Sequence, residues 1–228
     1  MRYFSPVTFA FMSLIFLGFS VAGIVQPDSY FHQGAKIEFR ITADNGAKSY
    51  SEIQIKDVLV QNGRTIITAQ DQRKDDQGKT TLVYRMRYIA DSTNWCVSAL
   101  NHLNSSMLYS SNNIPVLKSD SLVYPYAMKA GDTLLPAKAS EVVSNTTRSI
   151  EFLHRKVVGV ESVTVGGESL SAFRITCTMN THSLVDYGGL GAINTDLSYE
   201  YTEWFVPSKG IVKSERISQT GKTSVIQQ

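Results

Sequence analysis

A chain of 228 residues, 43% hydrophobic and 18% charged, has room for one domain of ordinary size and too much apolar material to stay disordered. Its formal net charge is +2, from 22 basic against 20 acidic residues, with no clustered basic stripe. Nucleic-acid binding is therefore excluded as a leading reading.

The first segment reads apart from the rest. Arg2 precedes an apolar run from Val7 to Ala22, broken only by Thr8, Ser13, Gly18 and Ser20. Ser20-Val21-Ala22 then places small residues three and one before a cut, the pattern of a secretory signal peptide over 1–22. An uncleaved anchor helix is the alternative, because the run nearly reaches spanning length. No cysteine stands at the cut, so a lipid anchor is not expected. The domain would occupy residues 23–228 and work outside the cytoplasm, periplasmic or otherwise exported, meeting the membrane only through its export signal.

From Ala35 the dominant period is two. Ile37, Phe39 and Ile41 alternate with Lys36, Glu38, Arg40 and Thr42, and Asp44-Asn45-Gly46 supplies a turn. A strand from Ser49 to Gln61 ends at Asn62-Gly63, the strongest short hairpin signal. Arg64 to Gln72 returns, Asp75 to Lys79 turns again, and Thr80 to Asp91 follows with Leu82, Tyr84, Met86 and Tyr88 inward. Such short connections imply antiparallel pairing. Trp95 to Leu100 is a further strand whose apolar face is Trp95, Val97 and Ala99. Asn101 to Asn113 breaks the alternation and reads as a loop or one helical turn, and Ile114 to Asp120 is extended. In Ser121 to Tyr126, Pro125 cannot donate to a central ladder, so this piece belongs at an edge or in a crossing loop.

Strands resume at Ala139 to Thr146 and Ser149 to Gly159, continuing or bending through Glu161 to Val165. After the turn Gly166 to Ser169, Leu170 to His182 is a long strand with Phe173, Ile175, Cys177 and Met179 on its core face. Asp186 to Asn194, rich in glycine, reads as a mobile loop. Tyr199 to Glu215 then forms a hairpin around Pro207-Ser208-Lys209-Gly210. Its first strand carries Tyr199, Tyr201, Glu203 and Phe205 on one face and Trp204 and Val206 on the other, so it reads as buried on both sides and suited to closing a barrel. Gly221-Lys222 makes a last turn. These segments predict an all-β domain of about ten to twelve antiparallel strands.

An ordered set of segments carries a family resemblance. Tyr124-Pro125 precedes Lys129-Ala130-Gly131-Asp132-Thr133-Leu134. Val157 to Val165 then runs through a Gly turn to Ala172-Phe173-Arg174-Ile175, and Glu203 to Glu215 follows. Together they resemble the TapB-like family, periplasmic β-rich proteins of unknown function common in Bacteroidetes, over most of the mature chain. At the turn, Gly166-Gly167-Glu168 stands where that family usually has Pro-Ala-Gly. The resemblance implies a single, strongly curved sheet forming a half-open barrel similar in outline to the lipoprotein carriers LolA and LolB. It implies no catalytic residue.

Signals of chemistry are weak. Gly78-Lys79-Thr80 and Gly221-Lys222-Thr223 copy the end of a phosphate loop, but Arg73 and Arg216 stand where its first glycine is required. Gly189-Leu190-Gly191 lacks the third glycine and the βαβ unit of a dinucleotide site. His32, His102, His154 and His182 lack ligand spacing, so no metal or cofactor is expected. Glu200 and Glu203 face opposite sides of a strand and cannot act as an acid–base pair. Cys96 and Cys177 are expected on opposite faces, so a disulfide is disfavoured. No hydrolase elbow is present.

What remains is the aromatic content, which either fills a core or lines a cavity. The leading expectation is a non-enzymatic envelope protein binding a lipid or other hydrophobic small molecule, with Trp95, Tyr126, Tyr201 and Trp204 as the lining. The alternatives are an envelope scaffold with a filled core, meeting a protein partner by a sheet edge or the 186–194 loop, and, ranked lower, a hydrolase built from loops.

Overall fold

The computed structural model describes residues 31–102, 116–218 and 221–228. The expected leader 1–22 and most of the Asn/Ser-rich stretch lie outside the described residues. Within them, alternating sequence becomes strand almost throughout. The first half contributes β1 (Lys36–Ala43), β2 (Lys48–Gln61), β3 (Arg64–Lys74), β4 (Thr80–Ala90) and β5 (Asn94–Ser98), each returning on the last through a tight turn. Asn62 (φ 52°) and Gly63 (φ 72°) both turn left-handed between β2 and β3, the conformation that an Asn-Gly hairpin provides. A short 3-10 turn, Ala99–His102, follows β5. Next come β6 (Val116–Ser119), β7 (Ser121–Pro125) and β8 (Ala137–Val143). The second half is built from β9 (Thr146–Val165), β10 (Glu168–Asp186), β11 (Ala192–Val206), β12 (Gly210–Ser218) and β13 (Gly221–Gln227).

All thirteen belong to one antiparallel sheet in the order β6-β8-β9-β10-β11-β12-β13-β1-β2-β3-β4-β5-β7. Its two edges, β6 and β7, are separated in the chain by Asp120 alone. One residue cannot cross a flat sheet of this width, so the sheet must curl until its edges lie side by side. Asp120 clips them together. Its N–H donates to the Lys138 carbonyl (2.8 Å), its carbonyl accepts from the Ala99 N–H (3.1 Å), and its carboxylate accepts from the Lys138 N–H (3.0 Å). Beyond this clip no strand ladder joins β7 to β8 among the described residues, which makes the barrel half-open. Pro125 ends β7 on that open edge, where its missing N–H costs no ladder bond.

Bulges supply the curvature. Register slips by one residue within β2–β3, β3–β4 and β11–β12, and twice within β9–β10. Each extra residue bends its strand and raises the local twist. The interior is apolar, with Ile55, Ile67, Trp95, Tyr124, Ile150, Phe152, Ile175 and Phe205 all buried.

Several sequence expectations change. The Tyr199–Glu215 hairpin does not close the barrel; β11 and β12 lie mid-sheet, and closure falls to Asp120. Glu203 to Val206 is nevertheless buried on both faces, as its aromatic pattern predicts. The span 186–194 is not a long loop: β10 and β11 pair out to Asp186–Ala192, and only residues 187–191 connect them. Gly221 and Lys222 lie inside β13. Cys96 and Cys177 are both free. Among the described residues no helix is long and apolar enough to cross a membrane.

Candidate functional site

Inward alternation on β1–β4 and β11–β13 leaves a void within the barrel. A cavity of about 160 Å³ is lined by Phe31, Ile37, Phe39, Ile53, Met86, Tyr88, Trp95, Tyr201, Ile211 and Val225, with Ser51, Asp71, Arg73 and His102 among its polar walls. A second cavity of about 100 Å³ adjoins it, sharing Arg73, His102, Tyr201 and Ser214 and adding Arg216, Met179 and Thr223. The larger space is mainly hydrocarbon and ring; the smaller carries two guanidinium groups.

Trp95 anchors the apolar part. Its ring packs on Phe31 (centroids 4.9 Å apart) and Tyr88 (5.8 Å), and it is 1% exposed. Gly210, at the end of the Pro207–Gly210 turn, adopts φ +76°, and a Cβ there would stand 3.3 Å from the indole. A glycine is therefore required both by backbone conformation and by the close approach of Trp95. In this way the turn of the β11–β12 hairpin becomes part of the cavity wall.

Two polar features are built into the wall. The Ser51 hydroxyl donates to the Asp71 carboxyl at 2.5 Å, and burial raises the Asp71 pKa against the pull of Ser51 and Arg73. His102 packs its ring edgewise on Phe152 (5.1 Å) and Tyr201 (6.1 Å). Burial, with Arg155 and Arg73 nearby, lowers its pKa to about 4, so it is neutral at physiological pH.

A buried ion pair outside the cavity walls bridges strands at the barrel's open side. Between Leu153 and Lys156 of β9, two residues, His154 and Arg155, stand opposite the single Cys177 of β10. His154 takes φ 56°, the left-handed conformation of the first residue of a G1-type bulge. The bulge reverses the inward phase, turning His154 out and Arg155 in. Arg155 is fully buried and its guanidinium stands 3.5 Å from the Glu203 carboxylate. It donates to the carbonyls of Leu135 (3.0 Å) and, at 3.4 Å, Val123 of β7, supplying donors where β7 lacks a neighbouring strand. Tyr124 donates its hydroxyl to Glu203 (3.0 Å), lies 4.8 Å beneath the Arg155 guanidinium and stacks on Phe205. Burial pushes the Glu203 pKa up, while Arg155 and the Tyr124 hydroxyl pull it back down.

Of the four aromatics singled out in the sequence, Trp95 and Tyr201 stand in the cavity wall. Trp204 does not. It lies on the outer face of β11 in a separate cluster with Val163, Val165, Ala172, Val206 and Val212. There its indole N–H donates to Glu161 (3.0 Å) and the Lys213 ammonium sits 4.1 Å over the ring. Strand parity requires this, since residues 201 and 204 face opposite ways. Tyr126 packs against the main core outside the cavity wall, its N–H donating to Thr93. Tyr88 stood on the inward face of its strand in the period-two pattern, whereas Phe31, Arg73 and Arg216 carried no such sign, the two arginines lying one residue beyond the expected strand ends at Gln72 and Glu215. Among the described residues no group of three or more His, Cys, Asp or Glu side chains could hold a metal ion.

A family model described as DUF3108-like matches residues 32–227. Two solved structures share the architecture. One is a Bacteroides fragilis protein described as exported and of YmcC-like fold, with 16% identity, a TM-score of 0.67, and coverage of 86% of this chain and 94% of its own. The other is a Parabacteroides distasonis protein described as a lipoprotein, with 12% identity, a TM-score of 0.65, and coverage of 87% and 96%. No curated protein sequence matches the chain.

Proposed function

Because the chain belongs to the DUF3108-like family, whose description names no reaction, we propose that it is an exported, non-enzymatic envelope protein that binds a hydrophobic or amphipathic small molecule inside its half-open barrel. The observation that carries this reading is the cavity of about 160 Å³ walled by Phe31, Ile53, Tyr88, Trp95, Tyr201 and Ile211. Voids of similar size lined by apolar side chains stay dry and accept a benzene ring. Each methylene buried there would contribute about 0.8 kcal/mol. Export is supported by the leader pattern of residues 1–22 and by the descriptions of the two structural neighbours. The TapB-like and LolA-like likenesses agree with an open barrel in the envelope, and rest on sequence motifs and outline.

One observation favours a protein partner as a second reading. The β10–β11 hairpin ends in Leu190, 92% exposed, with Tyr187 and Ile193 exposed beside it. Native mass spectrometry of the protein isolated from envelope extracts separates the two readings. We expect one small-molecule adduct per chain, released by mild organic solvent. Adduct-free protein that captures a second polypeptide, and loses it on Leu190→Ser, would reject the ligand reading in favour of the partner.

A further inference from the structure

We infer that the ligand is a single-chain amphiphile with an anionic head group, carboxylate or phosphate, held by Arg73 and Arg216. This rests on the binding reading above and adds the charge and size of the occupant. Both arginines line the smaller cavity that adjoins the apolar one. Arg73 reaches it from β3 and Arg216 from β12, two strands with β13, β1 and β2 between them in the sheet order. Each lies over a tyrosine ring, Arg73 over Tyr84 (5.5 Å) and Arg216 over Tyr199 (5.7 Å). Among the described residues, neither is within ion-pair distance of a carboxylate. Asp71, in the wall of the larger cavity, accepts the Ser51 hydroxyl and attracts Arg73 without coming within ion-pair distance of it.

Two unsatisfied polar atoms belong to that wall of the smaller cavity. Arg73 Nε and His102 Nε2 are buried without a hydrogen-bond partner among the described residues, as is the hydroxyl of Tyr84, the ring beneath Arg73. A buried polar atom left unpaired is costly, and those on Arg73 and His102, both in the wall of the small cavity, mark where a ligand oxygen would sit. Guanidinium groups present their donors as a planar fork that matches carboxylate and phosphate oxygens. The apolar space next to it, about 160 Å³, suits the end of one acyl chain and leaves no room for two. Polar head against Arg73 and Arg216, hydrocarbon against Ile53, Tyr88 and Trp95, is the orientation that satisfies both cavities at once.

Calorimetric titration of the purified protein with dodecanoate, dodecyl phosphate and dodecyltrimethylammonium, each below its micelle concentration, tests this. The two anions should bind at least tenfold more tightly than the cation of the same chain length. Arg73→Gln/Arg216→Gln should abolish that preference while leaving the far-ultraviolet circular dichroism unchanged. Should that variant fail to fold, Arg73→Lys/Arg216→Lys keeps the charge and should retain the preference with weaker binding. Stronger binding of dodecyl phosphate than dodecanoate would assign a phosphorylated amphiphile; the reverse would assign a free fatty acid. Equal binding of anions and cation would overturn the head-group assignment and leave the binding function standing. Binding of none of the three would overturn both.

Discussion

Replacing Arg155 by Met should cost about 3–5 kcal/mol of folding stability, the usual penalty for removing one partner of a buried ion pair. Glu203 would be left 1% exposed with no opposing charge, keeping only the Tyr124 hydroxyl. The Val123 and Leu135 carbonyls at the barrel's open side would also lose their donor. Glu203→Leu should be damaging for the mirror reason, since a buried guanidinium would stand unpaired. The double substitution Arg155→Met/Glu203→Leu should recover much of the loss, because an apolar pair of similar volume removes both desolvation penalties. Urea unfolding of the four proteins measures this as a double-mutant cycle. Strictly additive losses would show that the two side chains do not act as a pair.

Trp95→Ala should lose a comparable amount, about 3–5 kcal/mol, by deleting a large side chain from a packed interior. Its contacts with Phe31, Tyr88 and the backbone of Gly210 would vanish together. Unlike the Arg155 substitution, this one also enlarges a cavity that already exists beside the ring. Free indole should therefore bind the variant and restore part of its stability, raising the unfolding midpoint in proportion to the logarithm of its concentration above Kd. Wild type should respond far less to indole. A variant that unfolds no earlier than wild type would show that the indole is not part of the packed wall.

Much of the architecture could be read from residue alternation. The period of two in Ile37-Phe39-Ile41 and Tyr84-Met86-Tyr88, and the Asn62-Gly63 turn, place β1 to β4 within a residue or two of their observed bounds. Pro125 marks the edge strand correctly. What escaped were features set by pairing across the barrel. Asp120 carries no local sign that it joins the two edges, because that role depends on the curl of the whole sheet. The 186–194 span is glycine-rich, yet its strands gain pairing from each other out to Asp186 and Ala192, and pairing prevailed over local composition.

The bulge at His154 did leave a trace. Inward apolar residues change parity between Phe152 and Val157, which demands one extra residue in between. That shift of parity is what turns Arg155 inward. Trp95, Tyr126, Tyr201 and Trp204 were chosen for residue type, although the alternation of β11 already set residues 201 and 204 on opposite faces, so both could not stand in one wall.

If an apolar chain enters the barrel beside Trp95, that indole alone should sense it. The chain contains two tryptophans, one in the cavity wall and one on the outer face. Titration with a bromine-labelled dodecanoic acid, in Trp204→Phe and Trp95→Phe variants, reads each indole separately. Saturable quenching at one equivalent is expected in the protein that keeps Trp95, and none that saturates in the protein that keeps only Trp204. Equal quenching of both, or none of either, would contradict entry beside Trp95.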